Sequence, residues 1–239
     1  MGTLDPAPRA TRPEPPGFAW RVCSPIGAVL LAFALLVVGA GLLSLTDLSD
    51  SASSAILAFA TSLLLLVFGL ILWRRLPEHE RRWAVAPKRP LRAAVGFGVA
   101  MGFAIVIGAG AIIVTGSAID PVVERRLSEL EDIGTGPWEL ILTVTALVVL
   151  APLGEELLFR GLLLRGLTRR MRFWPAALVS SAFFTAAHAD AYILWPRTIS
   201  LLGTGVTLAW VYRTRGYWGS VAAHATVNTI ASIALVASS

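Results

Sequence analysis

Gly154-Glu155-Glu156-Leu157-Leu158-Phe159-Arg160-Gly161 sets two acids and a base inside a stretch that is otherwise apolar. Read alone it fits a functional helix of many kinds. Read against the whole chain it decides the fold, because the chain is 56% hydrophobic and only 15% charged, with a mean hydropathy of +0.72. Soluble proteins carry about a quarter charged residues, so this is a polytopic membrane protein. A charge at membrane depth costs on the order of a few kcal/mol or more, which makes this octapeptide a functional-site candidate with partners on neighbouring helices.

Seven apolar stretches follow from hydropathy, at about 24–46, 53–73, 92–116, 137–164, 174–190, 195–213 and 217–237. The predicted fold is all-α, a transmembrane helical bundle of about seven spans. The 239 residues leave no room for a second soluble domain. Residues 1–22, with Pro6, Pro8, Pro13, Pro15 and Pro16, read as a disordered tail, and the first apolar run is too long for a cleaved signal core. Pro152 and Gly154 predict a kink or restart in the fourth span. Gly98 and Gly102 predict close helix packing.

The net charge of +5 and pI near 10.3 do not point to nucleic acid, because the basic residues fall in short loops between apolar runs. Arg9, Arg12 and Arg21, then Arg74 to Arg92, then Arg165 to Arg172, then Arg213 and Arg215 lie on one side. Asp47, Asp50, Asp120, Glu124, Glu129, Glu131, Asp132 and Asp190 lie on the other, with only Arg125, Arg126 and Arg197 as bases. The positive-inside rule then predicts a multi-pass cell-membrane protein with a cytoplasmic N-terminus and an external C-terminus, its basic loops attracted to anionic lipid. Trp73, Trp138, Trp174, Trp195, Trp218, Tyr212 and Tyr217 fall near span ends and read as an aromatic belt. Cys23 is the single cysteine, so an intrachain disulfide or a cysteine metal cluster is excluded. His79 sits in a charged loop and reads as solvated.

Counting about 1.5 Å per residue puts Glu155, His188 and Asn228 each roughly 20 Å from the same membrane side, on three different helices, with His224 one turn below Asn228. Glu156 and Arg160 are at i and i+4 and can pair along one face, while Glu155 projects about 100° away, toward the bundle interior. Phe184 and His188 share that spacing, as do His224 and Asn228. A lone intramembrane histidine is often a packing residue and a lone Glu–Arg pair a structural clamp. An unpaired glutamate with two histidines and an asparagine at one depth favours function.

A carboxylate in a dry pocket can act as general base toward water, and a neutral imidazole can hold that water. A second histidine and an asparagine can donate to the oxyanion of a tetrahedral intermediate. Glu155 and His188 would therefore activate water, His224 and Asn228 would stabilise the oxyanion, and Glu156, Arg160 and Phe184 would support them. One glutamate and two histidines also make a zinc set with an open fourth position, so Glu155, His188 and His224 could be metal ligands; the favoured chemistry requires no cofactor, and Zn2+ stays open. His-Glu-x-x-His, Gly-x-Ser-Gly and Gly-x-Gly-Asp are all absent from the spans.

Glu155-Glu156-x-x-x-Arg160, Phe184-x-x-x-His188 and His224-x-x-x-Asn228 resemble, in order and spacing, the three motifs of the CPBP family of intramembrane proteases, which includes type II CAAX prenyl endopeptidases and Abi proteins. The resemblance covers residues 137–237. It implies an all-helical membrane endopeptidase acting on membrane-associated proteins or peptides, with Glu155 at the catalytic position, His188 at the water-positioning one and His224 with Asn228 as the oxyanion pair. Some members are described as metalloproteases. The expected organisation is a tail over 1–22, N-terminal membrane helices over 23–136 and a CPBP-like catalytic core over 137–239. Two other functions compete: a non-enzymatic membrane immunity or assembly protein that retains the fold, and, more weakly, a proton-coupled transporter.

Overall fold

The computed structural model describes residues 16–128, 136–188 and 194–238. Among these the regular structure is helical, and the one β-type pairing is an isolated bridge between Pro87 and Gly216. The helices are α1 (Phe18–Leu43), α2 (Asp50–Arg74), α3 (Glu78–Val85), α4 (Leu91–Ile119), α5 (Pro121–Ser128), α6 (Pro137–Leu167), α7 (Phe173–Ala186), α8 (Trp195–Arg215) and α9 (Tyr217–Ser238). Seven of them occupy the seven predicted apolar stretches; α3 and α5 are short additions at span ends.

α1, α2, α4 and α6 are long and apolar enough to cross a membrane on their own, and α7 is a shorter apolar helix. α8 and α9 have the length, 21 and 22 residues, but mix Gly, Ser, Thr, His and Asn among their apolar residues. Several of those polar side chains are buried against neighbours. The resulting pattern is inverted relative to a water-soluble protein. Val37 and Ile107 are 70% and 72% exposed, while Glu156 and Arg160 are 0% and 1% exposed. Apolar side chains outside and charge inside suit a hydrocarbon solvent.

α6 is the central helix. It packs on α1 and α2 on one side and on α7, α8 and α9 on the other, while α4 lies along α8 and α9. Every residue from Glu156 to Leu164 is buried. Gly98 and Gly102 serve α4–α9 contact within the chain: an added Cβ would stand 2.2 Å from Gly219 O and 2.5 Å from Thr226 Cβ.

The predicted irregularity in span four is present, but as widened turns and not a break. α-helical turns at Pro137–Val144 and Ala151–Glu155 alternate with π-helical turns at Thr145–Leu150 and Glu156–Leu164. Proline at 152 cannot donate to a preceding carbonyl, and widening the turn is one way for a buried helix to absorb that loss.

Three sequence expectations need correction. The helix begins at Phe18, inside the expected tail, because Arg21 is buried and bonds to Glu80 of α3. Only residues 16 and 17 of the remaining tail fall among the described residues. Span five ends at Ala186 and not at 190; Asp190 itself lies outside the described residues. Tyr212 and Tyr217 are buried in the protein and do not face lipid as a belt would, since their hydroxyls donate to Ala84 O at 2.9 Å and Leu153 O at 2.7 Å. Trp138, Trp174, Trp195 and Trp218 are exposed at helix ends, as a belt requires.

Candidate active site

Glu156, placed on α6 as the supporting acid, is bonded by side chains from two helices. Arg160 Nη1 donates to its Oε1 at 2.8 Å, the i and i+4 pairing read from the sequence. Ser220 Oγ donates to Oε2, and His224 Nδ1 lies 3.0 Å from Oε1. A buried carboxylate is tolerated only when its lone pairs are matched in this way. Arg160 is matched in turn: Nη2 donates to Gly205 O at 3.1 Å, and its guanidinium lies 4.6 Å from the Phe184 ring centroid. Clamp and histidine are therefore one network spanning α6, α7, α8 and α9.

Glu155 sits beside that network but outside it. Its Oε2 is buried with no hydrogen-bond partner, and it stands 3.9 Å from His224 Nε2. That separation is beyond a direct hydrogen bond and short enough for one oxygen atom to bridge. Gly154 makes this position reachable. A Cβ there would come within 2.6 Å of Leu66 N, so α6 and α2 cross at backbone contact just before the glutamates.

The carboxylate oxygen of Glu156 can only accept, so the proton between it and His224 belongs on Nδ1, and Nε2 is the nitrogen turned toward Glu155. His188 is fixed by the same logic. Its Nδ1 lies 2.8 Å from Phe184 O, a carbonyl that can only accept, which leaves the Nε2 lone pair available. His188 is not within a helix, as had been expected, but in the turn that closes α7. Its ring occupies the carbonyl that its own backbone N–H would have bonded, while that N–H bonds Thr185 O at 3.0 Å. Phe184 joins the two imidazoles, with its ring centroid 4.6 Å from His188 and 5.8 Å from His224.

Asn228 is held differently. Its Nδ2 donates to Leu147 O at 2.7 Å, within the first widened turn of α6. One of its two N–H groups is thus committed to the scaffold. The structure brings Glu155, Glu156, Arg160, Phe184, His188 and His224 into one set of contacts, with Asn228 one turn further along α9. Among the described residues no group of three His, Cys, Asp or Glu side chains is placed to hold a metal. His224 Nδ1 is already taken by Glu156.

Residues 137–230 match the Rce1-like family, described as type II CAAX prenyl endopeptidase Rce1-like. The matched segment runs from the start of α6 through Asn228 and so contains every side chain of the site described above. Two curated relatives overlap parts of the chain. "Putative membrane peptidase YdiL" of Bacillus subtilis is 34% identical over 95 residues, 39% of this chain and 36% of that protein. An "Uncharacterized 24.3 kDa protein" of Escherichia coli is 43% identical over 54 residues, 22% of this chain and 25% of that one. The chain thus spans about a quarter and about a third of the length of these relatives. No solved structure gives a significant match. Within the Rce1-like segment, the motif positions are the residues that the fold gathers around Phe184.

Several contributors were not singled out in the sequence. Ser220 continues the α9 stripe one turn below His224, so an i, i+4, i+8 reading of Ser220, His224 and Asn228 would have found it. Tyr217 and Ser180 bond α6 carbonyls at Leu153 and Phe159, the latter at 2.9 Å. Gly205 contributes a backbone oxygen and carries no side-chain signal.

Proposed function

We propose that the protein is an intramembrane endopeptidase of the Rce1-like kind, hydrolysing peptide bonds in membrane-associated proteins or peptides. The observation that carries this is the contrast between adjacent acids: Glu156 is saturated by Arg160, Ser220 and His224, while the buried Oε2 of Glu155 has no partner and faces His224 Nε2. A desolvated carboxylate with a free lone pair is suited to take a proton from water.

In this reading Glu155 removes a proton from the water that attacks the scissile carbonyl carbon. His188 accepts a hydrogen bond from that water through its free Nε2. His224, steered by Glu156, faces the same space, and as an imidazolium it donates from Nε2 to the developing oxyanion. The uncommitted N–H of Asn228 is a second donor. Collapse of the tetrahedral intermediate expels the amine, which takes the proton carried by Glu155. An apolar cavity of about 330 Å3 lined by Val29, Phe33, Phe159 and Phe183 adjoins the aromatic wall and suits an apolar part of such a substrate. Residues 137–239 act as the catalytic core, and the basic loops place the N-terminus in the cytoplasm and the C-terminus outside.

Purified protein with a membrane-anchored peptide substrate tests this. Glu155→Gln is expected to lower turnover by at least about 100-fold with the fold intact. Unchanged cleavage in a folded Glu155→Gln protein overturns the assignment. Zinc content measured in the active preparation, together with activity after chelation, decides whether a metal takes part.

A further inference from the structure

At the basic end of the bundle, Lys88 stands beside the Tyr212 ring and the Arg213 backbone, and the charges of Arg165 and Arg213 lie close enough to act on it. Lys88 lies between α3 and α4, Arg165 at the end of α6 and Arg213 at the end of α8. Lys88 is not a loose surface lysine. Its backbone N–H donates to Arg215 O at 3.1 Å, and its Nζ donates to Arg213 O at 2.9 Å and lies 5.6 Å from the Tyr212 ring centroid. Pro87 pairs with Gly216, whose φ of 84° admits no side chain without strain; a Cβ there would stand 2.4 Å from Ala86 O. The segment is therefore pinned where it stands. Arg213 is fixed from the other side by the Phe173 ring, 4.4 Å from its guanidinium carbon.

Among the described residues none of the three cations has a carboxylate partner. The carboxylate that shares a cleft with Arg165 is Glu80, and it is engaged by Arg21 and by Arg169 at 2.9 Å. Although Lys88 as a whole is exposed, loss of water around its ammonium, followed by the charges of Arg165 and Arg213, pushes it below its ordinary 10.5. Holding like charges together in fixed positions costs energy unless an anion joins them. The position adds the chemical class. Trp83 and Trp174 are exposed near this end, at the level where aromatic side chains meet headgroups.

We propose that Lys88, Arg165 and Arg213 form a binding site for the phosphate of an anionic phospholipid headgroup. Two protons of the Lys88 ammonium remain after its bond to Arg213 O, and the two guanidinium groups supply planar donors suited to phosphate oxygens. The site is separate from the Glu155 centre and does not depend on proteolytic activity.

Native mass spectrometry of the full chain in detergent tests the assignment, with phosphatidylglycerol, phosphatidylcholine of the same acyl chains and inorganic phosphate as probes. The wild-type protein is expected to retain phosphatidylglycerol about tenfold over phosphatidylcholine. The double variant Lys88→Gln/Arg213→Gln should lose that preference, and Lys88→Gln alone, a change at an exposed side chain, should reduce it. Arg74→Gln/Arg75→Gln removes equal charge from the same end and should leave it unchanged. Equal retention of the two lipids by the wild type overturns the proposal, as does equal loss in the Arg74/Arg75 variant, which would mean diffuse attraction. Binding of inorganic phosphate without phosphatidylglycerol assigns the site to a soluble anion and overturns the lipid.

Discussion

Glu155 and Glu156 differ by one position and about 100° of helix rotation. That rotation separates a carboxylate oxygen with no partner from a carboxylate bonded by Arg160, Ser220 and His224. The two acids should respond oppositely to amide substitution. Glu155→Gln removes a charge that makes no direct hydrogen bond through Oε2 and leaves the Glu156–Arg160 pair in place, so it costs turnover with little loss of stability. Glu156→Gln leaves Arg160 buried without its counter-charge, and breaking a buried pair on one side costs about 3–5 kcal/mol. It also takes from His224 the anion that holds the Nδ1 proton. Thermal unfolding in detergent should therefore show a large loss of stability for Glu156→Gln and little for Glu155→Gln, with cleavage reduced in both. The i and i+4 pairing of Glu156 with Arg160 was legible in the sequence because helix periodicity alone sets it. The bond from Glu156 to His224 was not, since it depends on how α6 and α9 rotate against each other.

At the scale of the element, α6 is a helix of alternating α-helical and wide turns whose carbonyls sit in a membrane interior that rewards added donors. Side chains from neighbouring helices meet them: Asn228 at Leu147, Tyr217 at Leu153 and Ser180 at Phe159. The proline and glycine ahead of the glutamates made some irregularity predictable, but a kink was expected where widened turns occur. Which distortion a proline produces depends on the donors that surround it, and those bond α6 from 21, 64 and 81 positions away in the chain. Helix positions were legible for the converse reason, since apolar length is a local property; His188 fell outside its helix because its ring, not its backbone, takes the Phe184 carbonyl. Asn228 therefore has a scaffold role beside its proposed catalytic one. Asn228→Ala is expected to lower stability by about 1–3 kcal/mol as Leu147 O loses its donor. Asn228→Asp cannot donate to that carbonyl as a carboxylate and should be at least as damaging. If alanine changes turnover but leaves the unfolding midpoint in place, the bond to Leu147 contributes nothing and Asn228 acts only on substrate.

Across the whole molecule, one acid at the basic end joins α1 and α3 to the turn that follows α6. Glu80 of α3 receives Arg21 of α1 and Arg169 from the turn after α6, with exposed His79 Nε2 3.8 Å away. Burial pushes the Glu80 carboxyl up, but the hydrogen bonds and charge of Arg21, then those of Arg169, outweigh it and hold the group below its ordinary 4.5. A carboxylate with a lowered folded value stabilises the fold fully above its unfolded value, and that contribution disappears as pH falls through the lower folded value. Acidification from neutrality should thus leave the junction intact until below about pH 4.5, where protonation of Glu80 releases Arg21 and Arg169 together. Hydrogen exchange of the first turns of α1, measured stepwise from pH 6 to pH 3 with correction for intrinsic rates, is expected to rise in that lower window. Glu80→Gln should show the raised exchange at every pH. A variant that keeps the wild-type acid transition would place the acid sensitivity on another carboxylate, and α1 would then be held to the bundle by its apolar contacts with α2 and α6 alone.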